Sequence, residues 1–457
     1  MKSSNLSTPL VSVYIVNHNY GDFLEIAINS VLNQTLTNYE IIFIDNGSTD
    51  SSRKKLEGFY SNPKIRIILQ KNMGLNAANN VALKFAKGKY IIRLDADDYF
   101  DKNALEILSS KLEKDEKLGM VFPDYYTVDQ FGNIIEMFRR HDFSEVELLD
   151  QPAHGACSMV RKEFLKAING YDASYHCQDG WDLWVRFIKK FSVGNINLPL
   201  FFYRQHGKNL TKKKKKILTT RANILSKNAK NVEGYNKKCV AVVPIRGSEN
   251  NTKSVALKKL GKKRVIDWTI DEALKSKKIS KIIISTPDEQ IINYVNKKYK
   301  NIVTYNRDFK LARFGVSLDE ALTDLFNNIR LDQKFEKIFV LFIQYPFRSW
   351  RYLDMASNTM DIFKIDRVIS VKEENKKFYR HSGKSLVPID SHFFLKQEKD
   401  QIFSETGGIY LVKRGTMFKD KEIDKKIGHI NIDTLGSYNI DSDYEWEIAE
   451  VIARSIS

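Results

Sequence analysis

Asp95, Asp97 and Asp98 follow a short apolar run at residues 89–94. Carboxylates crowded at the end of a strand repel one another unless a cation or a ligand is bound, and a hard divalent ion with a diphosphate is the usual solution. The alternative is a solvated acidic turn that caps a helix beginning near Lys102. The motif alone leaves both interpretations open.

Two further polar turns follow apolar runs in the same part of the chain. Asp45 ends one run and opens a turn that reaches Asp50, where a carboxylate can accept from a base or a ribose. The third turn contains Asn72 and Gly74. Polar turns at successive strand ends converge on one edge of a sheet, where ligands of such sheets bind. This clustering favours a ligand site over isolated surface turns.

Alternating strands and helices must position these turns. An apolar run at 11–16 precedes apolar residues at helical spacing over 24–32, and further runs lie at 40–44 and 65–69. Strands alternating with amphipathic helices predict a doubly wound α/β sheet of parallel strands with right-handed crossovers.

The segment from Pro9 to Thr211 resembles the family 2 glycosyltransferases, which have the GT-A fold. Five stretches carry the resemblance in family order: Val11-Ser12-Val13-Tyr14-Ile15-Val16-Asn17, the Asp45 to Asp50 turn, Asn72-x-Gly74, Asp95-Ala96-Asp97-Asp98 and Tyr203-Arg204-Gln205-His206. The resemblance implies a nucleotide-binding set in which Asp45 binds the base, Asp95 binds the ribose, and Asn17 and Asn72 complete the loops.

The same resemblance implies a metal site. Asp97, with Asp98 beside it, is expected to hold the Mg²⁺ or Mn²⁺ that bridges the donor diphosphate. His206 could contact the metal or the diphosphate, although a lone histidine is as often a structural residue. Asn46 stands where many family members carry a second aspartate, which leaves the base preference open.

A candidate base lies in the sequence Gln178-Asp179-Gly180-Trp181-Asp182-Leu183-Trp184, which resembles the acidic catalytic segment of the family. Asp179 is predicted to take the proton of the acceptor hydroxyl in an in-line displacement with inversion. The alternative is that Asp179 only caps a helix. His154 and Gly155 are expected to begin a strand, with His154 in a structural role.

The strand–helix pattern ends after His206. Lys212 to Lys216 form a basic run, and a polar segment continues to about Lys238. Because a lysine block repels itself and stays solvated, we expect a basic linker over 212–237 that can touch anionic lipid. The predicted domains are therefore 1–211 and 238–457.

The second half begins with an apolar run at 239–243, followed by a loop that contains Arg246, Gly247, Ser248 and Lys253. Backbone N–H groups and two cations in such a loop can surround a triphosphate, although its glycine spacing does not fit a P-loop. A helix over 265–274, strands at 281–284, 337–343, 367–371 and 408–412, and a closing helix over 444–453 predict another α/β domain.

This half resembles the family that makes CMP-activated sialic acids and related acidic sugars. The matching pieces are Pro244-x-Arg246-Gly247-Ser248, Lys253, Gly261-Lys262, Trp268-Thr269-Ile270, Ser285-Thr286-x-Asp288-Glu289, Gln344, Pro346-x-Arg348, Gly407-Gly408-Ile409-Tyr410 and Asn439-Ile440-Asp441. The resemblance implies that the first loop grips CTP, with Arg246 and Lys253 as its catalytic cations, and that a sugar hydroxyl attacks the α-phosphate.

The second half also departs from that family. Asn439 replaces a first metal-binding aspartate while Asp441 keeps the second position, Ser254 follows Lys253 where the family has Asn, and the stretch 344–348 is short. An amide offers one neutral oxygen to Mg²⁺ without the charge that attracts the ion. The domain is therefore either a working cytidylyltransferase or a silent nucleotide-binding module.

Composition limits the other classes. With 457 residues and 42% hydrophobic content the chain can bury two cores. No apolar stretch approaches the roughly 18 residues of a membrane span and no signal-peptide pattern is evident, which predicts a cytoplasmic protein. Three scattered cysteines exclude a disulfide framework. The net charge of +17 comes without a nucleic-acid-binding motif, so no nucleic-acid partner is expected.

Together these features predict a bifunctional enzyme of glycan synthesis. The first half would transfer a sugar from a nucleotide-sugar donor to a glycan or lipid-linked acceptor with Mg²⁺ or Mn²⁺, and the second would use CTP to activate an acidic sugar. The alternative is one active glycosyltransferase fused to a silent nucleotide-binding domain.

Overall fold

The computed structural model of the chain describes residues 8–456 except 141–142, 144–145, 147, 176, 208–213, 233–237, 248–254, 333–334, 375–377, 390–401 and 417–425. Ser248, Lys253, Ser254 and the first two lysines of the basic run lie outside these residues. The chain divides into two compact units, residues 1–213 with 376–401 and residues 214–375 with 402–457. Among the described residues no helix is long and apolar enough to cross a membrane.

The first unit alternates strands and helices up to α4 and then adds longer strands. Its strands are β1 (Val11–Asn17), β2 (Tyr39–Asn46), β3 (Ile65–Gln70), β4 (Tyr90–Asp95), β5 (Tyr99–Phe100), β6 (Leu118–Val128), β7 (Ile134–Phe138), β8 (Met159–Arg161) and β9 (Ser192–Arg204). Its helices are α1 (Leu24–Leu32), α2 (Ser52–Leu56), α3 (Leu75–Phe85), α4 (Ala104–Lys114), α5 (Lys162–Ala167) and α6 (Asp179–Phe187).

Within the described part of this unit one mixed sheet runs in the order β3-β2-β1-β4-β8-β6-β9-β5, with β7 paired to β6. The strands β1 to β4 are parallel to one another, and all seven residues of β1 are buried, as expected for a strand covered on both faces. Their register sets Asn17 beside Asp45 and Val16 beside Asp95. The polar turns of the first half therefore meet at the carboxyl edge of this sheet.

Two apolar layers cover the sheet of the first unit. On one face α1 buries Leu24, Ala27, Ile28 and Val31 against the strands. On the other face α6 contributes Trp184, which is almost fully buried and whose indole N–H donates to the Leu149 carbonyl at 2.8 Å. The start of α6, where Asp179 lies, is fixed by this packing.

The remaining elements follow residue 213. The strands are β10 (Lys238–Pro244), β11 (Lys259–Leu260), β12 (Lys263–Arg264), β13 (Ile279–Thr286), β14 (Val303–Asn306), β15 (Phe335–Val340), β16 (Arg367–Glu374), β17 (Tyr379–His381), β18 (Leu386–Pro388), β19 (Ile402–Lys413) and β20 (Ile427–Asn431). The helices are α7 (Lys214–Ala229), α8 (Val265–Lys275), α9 (Glu289–Lys298), α10 (Leu318–Asn328), α11 (Trp350–Phe363) and α12 (Asp443–Ile456).

The main sheet of the second unit has the order β14-β13-β10-β15-β19-β16-β20 over its described strands. β10 is parallel to β13 and β15, whereas β19 runs antiparallel to β15 and β16. The expectation of two α/β nucleotide-binding-type domains is thus confirmed.

One element differs from the expected linker. Residues 214–229 form α7, which packs on α11 and buries Ile224, Leu225 and Ala229 within the second unit. Because these apolar residues lie among lysines and polar residues, the charge run dominates the sequence pattern and hides the helix.

Candidate active site

The ends of β1 and β2 build a buried polar cluster. The Asn17 amide donates to Ser48 Oγ at 2.9 Å and to Asp45 Oδ1 at 3.3 Å. Asp45 Oδ2 accepts from the Arg53 Nε at 2.9 Å. Asn17 and Asp45 are fully buried, and the carboxylate predicted to bind the base is oriented by two side chains, Asn17 and Arg53, and by the Ser48 backbone N–H.

A second cluster links the β2 and β3 turns. Asn46 Oδ1 accepts from Gln70 Nε2 at 2.8 Å and from the Met73 N–H at 3.1 Å. Its amide lies 3.3 Å from Asn72 Oδ1, and the Asn72 amide lies 3.2 Å from His18 Nε2. Asn46 thus connects the β2 and β3 turns through hydrogen bonds of both its side-chain oxygen and its amide N–H. An aspartate at this position would lack the N–H donor that meets Asn72.

Carboxylates crowd the end of β4, as the sequence predicted. Burial and the nearby Asp97, against the opposing Arg93, raise the pKa of Asp95 to about 6. Burial and the nearby Asp97 and Asp95 raise the pKa of Asp98 well above its usual range. Asp97 Oδ2 lies 2.9 Å from His206 Nε2, and both side chains are nearly buried. Asp97 and His206, 109 residues apart in the chain, are therefore brought together.

Asp98 lies differently from Asp97. Its Oδ1 accepts from the Arg204 backbone N–H at 2.8 Å, and its buried Oδ2 has no hydrogen-bond partner within the described part of the chain. Asp98 therefore anchors the end of β9 beside the cluster.

These residues fit a divalent cation. Burial and mutual repulsion raise the pKa of Asp95 and Asp98, and among the described residues one buried carboxylate oxygen, Asp98 Oδ2, lacks a donor, which is the pattern a bound cation relieves. Over the described residues no group of three or more His, Cys, Asp or Glu side chains is arranged as a complete metal site. Asp97 and His206 could supply one or two ligands, and the diphosphate the others, as is common for Mg²⁺ and Mn²⁺.

Asp179 is the first residue of α6, following Gln178 in a left-handed conformation. Its Oδ2 accepts from Arg93 Nη1, a buried guanidinium that also lies 3.1 Å from Asp95 Oδ1 through its Nε. A Cβ on Gly155 would lie 3.2 Å from Arg93 and 3.5 Å from Asp179, so the glycine leaves room for this pair. The predicted base and the predicted ribose ligand therefore share one arginine.

His154 adjoins this pair. His154 and Gly155 lie in a turn before β8, and the expectation that they begin a strand was wrong, because the strand pairing starts only at Met159. Burial, and next the positive Arg93, lower the pKa of His154 to about 3. The ring packs against Tyr125, Phe201 and Tyr203 with centroid distances of 5.4, 5.2 and 4.9 Å. The histidine is therefore neutral and part of an aromatic wall.

The second unit has a cavity of about 570 Å³ at the carboxyl ends of β10 and β15. Residues that line it include Arg246, Gly247, Arg307, Phe314, Gln344 and Asp441. The Arg246 guanidinium lies over the Phe314 ring at 4.4 Å, and Arg307 donates to the Ile245 carbonyl at 2.9 Å. Of the predicted triphosphate residues, Arg246 and Gly247 therefore line one cavity.

The predicted metal residues of this unit touch each other. The Asn439 amide donates to Asp441 Oδ2, while the buried Asn439 Oδ1 meets no hydrogen-bond partner among the residues that the structure describes. Arg348, by contrast, is almost fully buried and donates to the Gly408 and Phe342 carbonyls. It therefore connects Gly408 to Phe342, which lines the cavity.

Sequence reasoning missed Arg93 and Arg307. An arginine inside the apolar run Tyr90-Ile91-Ile92-Arg93-Leu94 was the available signal for Arg93, since a charge on a covered strand needs a buried partner. Arg307 follows β14 directly, at the same edge of the sheet as Arg246.

Two family models match the chain. Residues 12–168 match the model described as Glycosyl transferase family 2, and residues 240–314 match the model described as Cytidylyltransferase.

Similar proteins were found by sequence and by structure. The chain is 25% identical over 325 residues to a chondroitin synthase of Pasteurella multocida strain Pm70. It is 26% identical over 322 residues to a hyaluronan synthase of Pasteurella multocida. Each alignment covers 69% of this chain and 33% of the relative, so the chain spans about a third of those relatives' length. The solved structure of S. aureus TarS residues 1–349 with UDP-GlcNAc aligns with a TM-score of 0.43 and 16% identity, over 50% of this chain and 69% of that one.

Proposed function

On the premise that residues 12–168 form a family 2 glycosyltransferase domain, we propose that the first unit transfers a sugar from a nucleotide-sugar donor to a glycan acceptor with inversion. The observation that carries this proposal is the meeting of Asp45, Asp95 and Asp97 with Asp179 around one sheet edge. A lipid-linked glycan is included in this acceptor class.

Each side chain has a role in this proposal. Asn17 and Asp45 bind the base, Asp95 binds the ribose, and Asp97 with His206 holds Mg²⁺ or Mn²⁺. The ion, when bound, offsets the negative charge that develops on the departing diphosphate. Asp179 removes the acceptor proton while the acceptor oxygen attacks the anomeric carbon.

Chondroitin synthase and hyaluronan synthase are the names of the relatives, so glycosaminoglycan oligosaccharides are the first acceptors to test. The full chain would be incubated with UDP-, GDP-, dTDP- and CMP-sugars, Mn²⁺, and chondroitin or hyaluronan oligosaccharides. Mass spectrometry of the oligosaccharides would detect extension by one sugar. No extension and no donor cleavage with any pair would contradict the proposal.

Matched variants separate the roles. Asp97→Ala should abolish metal-dependent donor cleavage and transfer, whereas Asp179→Asn should keep nucleotide binding and lower transfer by about 10²–10⁴-fold. Glu106→Gln, on the exposed side of α4, removes a carboxylate outside the site and should change neither. An Asp179→Asn protein with normal transfer would reject Asp179 as the base.

For the second unit we propose CTP binding in the cavity that contains Arg246 and Arg307, followed by activation of an acidic sugar to its CMP form. The Asn439–Asp441 contact specifically favours a second candidate, a silent nucleotide-binding module, because the amide occupies an oxygen that Mg²⁺ would need.

Asn439→Asp decides between these two candidates. If the unit is a weakened enzyme, this variant should release pyrophosphate from CTP and an acidic sugar faster than the wild type, and at lower Mg²⁺. If CTP binds by calorimetry and neither protein releases pyrophosphate with eight- and nine-carbon acidic sugars, the silent module is correct. Failure to bind CTP or any other nucleotide by calorimetry would reject both.

A further inference from the structure

Arg93 lies in the middle of β4, among the apolar residues that precede its terminal Asp95, and is 5% exposed. A guanidinium removed from water needs charged or hydrogen-bonding partners, since an unpaired buried charge is costly. The identity of those partners therefore indicates why an arginine is present.

Its two ionic partners come from different sides of the site. Nη1 donates to Asp179 Oδ2 at the start of α6, and Nε lies 3.1 Å from Asp95 Oδ1 at the end of β4. Burial lowers the pKa of Arg93, but the Asp179 and Asp95 carboxylates outweigh it and hold the pKa well above the usual range. Arg93 is therefore charged at any pH at which the protein folds.

The contact uses only one oxygen of Asp179. Among the described residues no group donates to Asp179 Oδ1, and the side chain keeps 11% of its surface exposed. Gly155 lies against both members of the pair, so the guanidinium and the carboxylate meet without an intervening side chain.

We propose that Arg93 is a positioning residue that fixes Asp179 through Oδ2, presents Oδ1 to the acceptor hydroxyl, and ties this base to the donor-side Asp95. This inference rests on the proposed transferase function. In the step itself the acceptor O–H proton moves to Asp179 Oδ1 and the acceptor oxygen bonds the anomeric carbon. The bond from that carbon to the diphosphate oxygen breaks, and its electron pair leaves with the diphosphate.

Of the described titratable groups around Asp179, Arg93 is the one that supplies a positive charge opposite the carboxylate. The other titratable groups that interact with Asp179 are Asp95, Tyr14, Tyr171 and His154. Burial raises the pKa of both tyrosines, whose hydroxyls lie 2.9 Å apart, and keeps His154 neutral. Among these described groups Arg93 alone is a cation at neutral pH, and a neighbouring cation favours the ionised carboxylate.

The first test compares Arg93→Met with a control, Arg66→Met, which removes an exposed arginine from the edge strand β3 of the same sheet. Transfer would be measured with the donor and acceptor pair found for the wild type, between pH 5 and 9. Arg93→Met should lower kcat by about 10–100-fold with a smaller change in donor KM. The acidic limb of its pH–rate profile should move to higher pH, because the base loses the cation that favours its ionised form.

Arg93→Lys keeps the charge but not the planar fork. Arg93→Lys should leave the acidic limb of the pH–rate profile near its wild-type position, whereas kcat should stay reduced. If Arg93→Met does not fold, Arg93→Lys takes its place in the comparison with the wild type. An Arg93→Met profile and kcat equal to those of Arg66→Met would overturn the proposal, as would an Arg93→Lys protein whose acidic limb moves like that of Arg93→Met.

A second test does not depend on activity. Unfolding of the full chain would be measured for Arg93→Met, Asp179→Asn and the double variant. Where the curves show more than one transition, the transition that Asp179→Asn shifts would be compared. The unfolding equilibrium constant of the double variant should differ by about 2–100-fold from the value expected if the two single effects were independent. Additive effects would overturn the Arg93 proposal, whereas a wild type without transfer would contradict only the transferase function.

Discussion

The pairing of Asp97 with His206 joins the end of β4 to the residue that follows β9 by two positions. The His206 ring is 5% exposed at its side chain and is held by Phe23, stacked at 5.4 Å, and Tyr20, edge-on at 5.5 Å. A histidine fixed in this way can present one ring nitrogen to a cation beside a carboxylate.

His206→Ala should therefore raise the Mn²⁺ concentration for half-maximal transfer by about tenfold or more. His18→Ala is the matched control, because His18 is exposed and contacts the Asn46 and Asn72 loop instead. A metal titration of donor cleavage would measure both variants. Equal metal requirements in the His206 and His18 variants would reject a role for His206 at the metal.

His154 should make the first unit less stable as the pH falls. Its pKa is about 3 when folded, against about 6.5 in an unfolded chain, so below pH 6.5 the unfolded state binds more protons. Its stabilising contribution is full above pH 6.5 and should fall by up to about 1.4 kcal/mol per pH unit down to about pH 3.

His154→Phe should remove this slope, and denaturant unfolding between pH 4 and 7.5 would measure it. Asp95 and Asp124 have the opposite effect and lower the stability as the pH rises, because the pKa of each is about 6 in the folded state, above that of an unfolded aspartate. They are present in both proteins, so the difference between the two curves isolates His154. Parallel curves would show that His154 is not held neutral.

At the scale of elements, the β2 turn depends on one glycine. Gly47 has φ +78°, and a Cβ there would lie 2.6 Å from the Asn72 backbone nitrogen. Neither the conformation nor the space allows a side chain, so the β2 and β3 turns can approach each other only with glycine.

Gly47→Ala should weaken nucleotide binding by at least about tenfold, because relief of the collision separates the Asp45 and Asn72 loops. Gly58→Ala is the control, since a Cβ at Gly58 would meet nothing within 4 Å. Calorimetry with UDP and Mn²⁺ would compare them. A Gly47→Ala protein that binds as tightly as Gly58→Ala would argue against this account of the loop.

The elements that were predicted from sequence share one property. The strands β1 to β4 and β10 are local apolar runs beside amphipathic helices, and their periodicity is visible within a short window. The parallel pairing of β6 with β9 joins residues more than seventy positions apart, and no local pattern specifies it. For the same reason the sequence predicted which carboxylates would gather at the β4 end but not that Arg93 would face Asp179.

At the scale of the whole molecule, α7 belongs to the second unit. Ile224, Leu225 and Ala229 are buried there, and α7 covers part of α11. A second-unit fragment that begins at Lys238 would therefore expose an apolar face of α11 to water.

A fragment Lys214–Ser457 should accordingly unfold at a higher temperature than Lys238–Ser457. At about 25 cal/mol per Å² of apolar surface, loss of this contact costs a few kcal/mol, which is several degrees in Tm for a domain of this size. Differential scanning calorimetry of both fragments would measure the gap. Equal melting temperatures would show that α7 adds no stability to the unit.

The sheet of the first unit also has a consequence for inheritance. Apart from His206, the groups proposed to bind the donor, from Asn17 to Asp98, precede α4, whereas the proposed base Asp179 follows it. A recombination crossover within α4 would thus exchange most of the donor-binding groups between related genes while retaining the segment that carries Asp179. The Asp97–His206 and Arg93–Asp179 pairs span that junction, so viable hybrids should arise only from parents that encode both pairs.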